Sequence, residues 1–273
     1  MSHQPNIILC KDFDASKLTF SELDMQKKDI YSINQCVCFA YYEYFPEFKN
    51  KFLFKTNPIK LKQYGIPYVN EKTMQFIKSD KDREYFKLPY DKSQSSCNDL
   101  FKMLSDIDAR VLELQPMIFG TNAHKYKYVP LVRHPDKDED YDYVAQKMDF
   151  CKIKFEVDYY SKNITTGIFV NENGKSILRH DTQTVSDIVT ILRRNSEARF
   201  IITISKLWAE KIPKIKGEPK DFGLTLKCKQ LEVYDKPKNS IDFPKTSYFD
   251  FPQHNDQEQE QVQYIKKEYY VTI

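Results

Sequence analysis

The stretch Cys151-Lys-Ile-Lys-Phe-Glu-Val-Asp-Tyr159 alternates apolar and polar residues without a break, so that Ile153, Phe155, Val157 and Tyr159 share one face. Such a period belongs to a half-buried β-strand, in which successive side chains point to opposite sides. Similar runs occupy residues 35–45, 51–61, 84–89, 125–133, 164–170, 199–208 and 224–234, and they predict further strands. Asn171-Glu-Asn-Gly174 separates the run ending at Val170 from a short one at Lys175 to Leu178 and reads as a hairpin turn.

Two helices interrupt the strands. From Asn98 to Leu114, Leu100, Met103, Leu104, Ile107, Val111 and Leu114 recur at helical spacing behind Ser96 as N-cap. Thr184 caps a second helix, Val185 to Arg194, whose stripe is Val185, Ile188, Val189 and Leu192. This order fits a β-rich α+β fold: an elaborated OB-fold-like barrel, which has five strands and a helix between the third and fourth, with inserted strands and a second helix. Other α+β sheets fit it as well. The expected organisation is an N-terminal extension over residues 1–34, an OB-like core over 35–234 and an acidic, polar C-terminal tail over 235–273.

With six Gly, 41% hydrophobic and 14% aromatic residues, the chain is rich enough in core formers to fold. No run of about 18 apolar residues predicts a membrane span, and the N-terminus lacks the plan of a signal peptide. An intracellular, unsecreted protein is expected. The cysteines, Cys10, Cys36, Cys38, Cys97, Cys151 and Cys228, form no Cys-x-x-Cys pair and read as buried thiols. The net charge of +3 is unevenly placed, with +6 over residues 1–231 and −3 over 232–273. Cations are mostly Lys, which meets phosphate as a point charge, whereas Arg suits base edges.

No enzyme, cofactor or metal motif is present, and the chain reads as non-enzymatic. Asp136-Lys-Asp-Glu-Asp140 imitates a calcium loop, but Tyr141 stands where Gly is needed and Lys147 where the bidentate Glu belongs. What remains are three basic, aromatic patches. The first holds Lys51, Phe52, Phe54, Lys55, Lys60, Lys62 and Tyr64; the second Lys125, Tyr126, Lys127, Tyr128 and Arg133. The third surrounds the single tryptophan with Lys206, Trp208, Lys211, Lys214 and Lys216, and Lys227 follows on the next strand. Single-strand binding needs this combination, because cations follow the phosphates while bases stack on aromatic faces. The same pattern also describes an ordinary strand, with Phe52 and Phe54 on its buried face and the lysines in solvent.

Phe52-Leu-Phe-Lys-Thr-Asn-Pro58, Tyr64-Gly-Ile-Pro67, Phe200 to Trp208 and Phe222-Gly-Leu-Thr-Leu-Lys-Cys-Lys-Gln-Leu-Glu-Val233 together resemble the single-stranded DNA-binding replication proteins of nucleocytoplasmic large DNA viruses. That group is similar in turn to the OB-fold single-stranded DNA-binding proteins of short-tailed coliphages. The resemblance spans about Gln35 to Tyr234. It implies sequence-neutral binding of single-stranded DNA in replication, recombination or repair, in the cytoplasm at viral replication sites or in the nucleus. It also implies that an acidic tail, here Asp250 to Glu260, recruits replication proteins; Lys266-Lys-Glu-Tyr-Tyr-Val-Thr-Ile273 departs from that pattern. Val262, Tyr264, Tyr269, Tyr270, Val271 and Ile273 could instead dock as a last strand on this chain or on a second copy, giving a homo-oligomer. The competing reading is a β-rich structural or virion-associated interaction protein with no nucleic-acid role.

Overall fold

The computed structural model describes residues 6–23, 35–45, 48–71, 73–135 and 147–234. The first half supplies strands β1 (Ile8–Leu9), β2 (Leu18–Phe20), β3 (Gln35–Cys38), β4 (Ala40–Phe45), β5 (Phe48–Lys51), β6 (Leu53–Lys55), β7 (Ile59–Lys60) and β8 (Tyr85–Pro89), then helix α1 (Ser95–Phe119). The second supplies β9 (Tyr126–Val129), β10 (Val132–Arg133), β11 (Phe150–Phe155), β12 (Gly167–Glu172), β13 (Lys175–Leu178), helix α2 (Val185–Ile191), β14 (Glu197–Glu210) and β15 (Lys220–Val233).

Main-chain pairing closes a ring. β14 pairs antiparallel with β15, β15 parallel with β11, and β11 antiparallel with β8. Lys87 of β8 exchanges two hydrogen bonds with Gly65, of 3.0 and 2.9 Å. The segment leading to Gly65, formed by β6 and β7, returns to β14. Numbered along the chain, the five members neighbour one another in the order 1-2-3-5-4-1. Members three and five are parallel, and α2 lies between three and four. This is an OB-type, β-rich α+β fold, with α1 inserted between its second and third strands.

β14 and β15 are 14 residues each and therefore serve more than the barrel. β14 also pairs with β3 at its end, and β15 with β9 at its start and β12 at its end. Register shifts between Ile201 and Ile202 and between Ile204 and Lys206 let the pair bend, because a bulge increases local twist. Inside, Phe54, Phe86, Phe155, Phe200 and Ile202 are buried, and the Phe86 ring lies 5.2 Å from both Phe155 and Phe200. Each such side chain contributes about 1.5–3 kcal/mol by leaving water.

The alternating runs correspond to strands, with informative differences. The run at 35–45 breaks at exposed Phe39, whose main chain pairs with Ser21. There the chain leaves the large sheet for a small one ordered β2-β4-β5. The 151–159 run stops at Phe155, because the Asp158 carboxylate accepts from the Tyr160 and Ser161 amides and turns the chain. The first helix runs from Ser95 to Phe119 with Gln94 at its N-cap; Ser96 instead donates to the Pro58 carbonyl at 2.7 Å. The second ends at Ile191, short of Arg193 and Arg194, while Thr184 caps it as expected, in a capping box with Asp187. In the β12–β13 hairpin Asn173 and Gly174 both have positive φ, which a two-residue turn of this kind requires.

Within the stretch read as an N-terminal extension, Ile8–Leu9 pairs with β6 and Leu18–Phe20 with β4, so it contributes strands to both sheets. All six cysteines are buried and none is joined in a disulfide, and burial pushes the Cys97 thiol up to about 11. Among the described residues no helix is long and apolar enough to cross a membrane. The calcium-like run 136–140 and the tail 235–273 lie outside the described residues.

Candidate nucleic-acid interface

β11 buries Cys151, Ile153 and Phe155 and so turns Lys152 and Lys154 outward. Its neighbour β8 buries Phe86 and Leu88 and turns out Tyr85 and Lys87. Register sets Lys152 opposite Lys87 and Lys154 opposite Tyr85. On the other flank Lys154 lies opposite Lys227 of β15, and two residues back along that strand Thr225, on the same face, lies opposite Lys206 of β14. Arg133 of β10 stands opposite Phe150 at the start of β11. Six cations, Lys87, Arg133, Lys152, Lys154, Lys206 and Lys227, thus meet on one outer face that centres on the second and third barrel strands.

The electrostatics name the same residues. Lost hydration, followed by repulsion from Lys154, Arg133 and Lys87, pushes Lys152 down to about 8. Lys154 is lowered too, by lost hydration and then by Lys206 and Lys227, with Glu84 opposing. Lys152, Lys154 and Lys227 form no salt bridge among the described residues. Cations so crowded bind a polyanion favourably, since each phosphate relieves repulsion as well as releasing its own counterions.

Aromatic faces lie among them. The Lys152 ammonium sits 3.6 Å from the centroid of the Tyr85 ring, and Lys87 sits 4.2 Å from Phe150 and 5.6 Å from Tyr64. Tyr64 takes a left-handed φ of 60°, which is costly for an aromatic residue. It is held there by donating to the Met148 carbonyl at 2.6 Å and by packing 5.1 Å from the Phe150 ring. Trp208 lies two residues beyond Lys206 on the same side of β14, half-buried, opposite Gly223. A Cβ at Gly223 would lie 3.0 Å from the indole Cζ2 and 3.1 Å from the Val129 carbonyl oxygen. Glycine is therefore what lets the ring lie against the neighbouring strand.

Of the residues singled out by sequence, Arg133, Lys206, Lys227 and Tyr64 fall in this cluster, with Trp208 beside it. Phe52 and Phe54 are fully buried in the core, so neither ring can meet a base and the buried-face alternative describes them. Tyr126 and Tyr128 are likewise buried, packed against Phe222, while Lys125 and Lys127 are exposed. Lys51 is in the small sheet, and Lys55 pairs with Ile201. Lys60 joins the start of β14, and Lys62 binds Asp91 at 2.7 Å, which holds that carboxyl well below its usual range. Lys211, Lys214 and Lys216 occupy the loop between β14 and β15, where Lys214 pairs with Asp221 at 2.7 Å.

Sequence reasoning passed over Lys87, Lys152, Lys154 and Tyr85. The signal was the polar half of the clearest alternating run: whatever stands between Ile153 and Phe155 must face outward. Among the described residues no group of three or more His, Cys, Asp or Glu is placed to hold a metal ion.

No protein-family model matches the chain. An uncharacterized protein of Acanthamoeba polyphaga mimivirus is 27% identical over 205 residues, covering 67% of this chain and 51% of that protein. The chain thus spans about half the length of that relative. The crystal structure of gp2.5, a single-stranded DNA-binding protein encoded by bacteriophage T7, aligns with 74% of this chain and 98% of its own at 12% identity and a TM-score of 0.39. The OB-type assignment rests on the strand pairing described above.

Proposed function

We propose that this protein binds single-stranded DNA without reading its sequence, on the outer face of β8, β11, β15 and β14. The observation that carries this reading is the convergence of six cations with Tyr64, Tyr85 and Trp208 on one face of an OB-type barrel. The surface of the second and third strands is the one such barrels offer to oligonucleotides. Point charges and ring faces serve any sequence, since every base has a π-face and every nucleotide a phosphate. The protein acts by holding strands rather than by chemistry, and serves replication, recombination or repair inside the cell. Similarity to a mimivirus protein supports a place among the proteins of large DNA viruses.

The test is titration of the full chain with labelled oligo-dT, with duplex as competitor, across a salt series. Binding that favours the single strand and weakens by about 0.7 log units per phosphate contact for each tenfold rise in salt is expected. Affinity indifferent to salt, or equal affinity for duplex, overturns the reading and favours an interaction protein whose lysines only solvate it.

A further inference from the structure

Beyond β11 the chain turns back through Asp158-Tyr-Tyr-Ser-Lys-Asn163, and the pairing of Val157 with Ile164 closes the base of that turn. Its polar groups are used within it. The Asp158 carboxylate accepts from the Tyr160 and Ser161 amides at 3.1 and 2.7 Å and from the Ser161 hydroxyl, while the Asp158 main chain bonds to those of Lys162 and Asn163. Lys162 takes a left-handed φ of 62° to bring the chain round. The rings stand outside this frame, Tyr159 being 47% and Tyr160 89% exposed. They meet edge to face with centroids 5.1 Å apart, and the Lys162 ammonium lies 4.2 Å from the centre of the Tyr159 ring. Two neighbouring rings left in water forgo the contribution of their burial and mark a surface for a partner.

The turn stands at one end of the barrel face. Phe155 donates to the Glu84 carbonyl at 3.0 Å, so β8 begins where β11 ends, and Lys154 with Tyr85 is the last pair before the turn. The six positions from Lys154 to Tyr160 span at most about 20 Å. The Glu84 carboxyl, raised by lost hydration, is opposed by Lys81, Lys154 and Lys162 together, so the last cation of the face and the cation of the turn share one neighbour. Glu156 pairs with Lys229, and Asp158 is held inside the turn. We propose that residues 158–163 form a base-stacking platform at the end of the barrel face, where a single strand passing Lys154 and Tyr85 lays a base on Tyr160 and a phosphate on Lys162. This rests on the single-strand reading above and lengthens its footprint past the barrel. An apolar protein surface would also cover the two rings. The lysine beside them and the three cations around Glu84 favour the polyanion.

The test uses the full chain with oligo-dT and the variants Tyr160→Ala, Tyr160→Phe and Lys162→Gln, all at exposed positions, with the melting temperature of each expected to match the native chain. Tyr160→Ala should weaken binding about tenfold while Tyr160→Phe keeps the native affinity, since a ring face is what a base needs. Lys162→Gln should lower the salt slope by about 0.7. With 5-iodouracil in the oligonucleotide, a photo-crosslink within residues 158–163 is expected. If the native chain binds oligo-dT and Tyr160→Ala binds it as tightly, the platform is overturned while the barrel face stands. Equal losses from Tyr160→Ala and Tyr160→Phe overturn it too, because the hydroxyl and not the ring would then be the contact. If the native chain does not bind oligo-dT at all, both readings fall together.

Discussion

In residues 51–55 two lysines flank two phenylalanines along one stretch of chain, whereas the cations and rings that meet on β8 and β11 come from different strands. The first arrangement looks more like a nucleic-acid site and is less able to be one. Alternation on a strand sends Phe52 and Phe54 to the core and Lys51 and Lys55 away from it, so it separates cation from ring. The same parity separates Tyr126 and Tyr128 from Lys125 and Lys127. Lys152 and Tyr85 are 67 positions apart in the sequence yet in contact, because antiparallel pairing puts residues of matching parity on one face. A mixed surface on a sheet is assembled across strands, not along one.

That contrast can be broken at several points. Phe54→Ala should cost about 3–5 kcal/mol of stability, as expected for emptying a packed aromatic site, and should leave the affinity of the folded fraction unchanged. Urea unfolding together with oligo-dT titration separates the two effects, and a stable variant with weakened binding would return Phe54 to the interface. Next in size, Lys152→Glu with Lys154→Glu should weaken oligo-dT binding about a hundredfold, because each reversal places like charge against phosphate. Lys49→Glu with Lys51→Glu, on the exposed β5, should change it by less than about threefold, as screened surface charge does. Equal losses from the two pairs would erase the distinction between the regions.

The smallest effect concerns pH. The Lys152 value in the folded chain, about 8, lies below the ordinary 10.5. The folded face therefore gives up a proton as pH rises through 8, and its stability grows between pH 8 and 10.5 as the cost of the poorly hydrated charge, and then the repulsion from its neighbours, is relieved. Binding should move the other way and weaken by up to about tenfold from pH 7 to pH 9 as one contact loses its charge. Bound phosphate restores that proton. Lys152→Arg stays charged throughout and should flatten the profile in anisotropy titrations at pH 7, 8 and 9; an unchanged profile would remove Lys152 from contact with the strand.

Most strands were legible because each is written locally, in the parity of its apolar residues, and so was the α2 cap, in Thr184 and Asp187; β1 and β2, of two and three residues, are too short to show a parity. Register is not written locally. Nothing in residues 84–89 or 150–155 taken alone says that Lys87 will face Lys152, or that β15 will bring Lys227 beside Lys154. Tyr64 was found for its neighbours in sequence, but it belongs to the face through Phe150, which is far along the chain. Trp208 was singled out for standing at a strand end beside a basic loop. What places it is Gly223, and the reason appears only when the two strands are laid side by side.

Among the described residues the main chain of member one meets that of member two only at Gly65 and Lys87. Among the joins of the ring this is the seam, where thermal opening will begin. The Lys87 side chain reaches across it, resting on Tyr64 of member one and on Phe150 at the start of β11. A strand of DNA lying over Lys87 would therefore act as mortar in that joint. The barrel would breathe least when loaded, so its grip and its rigidity would rise together.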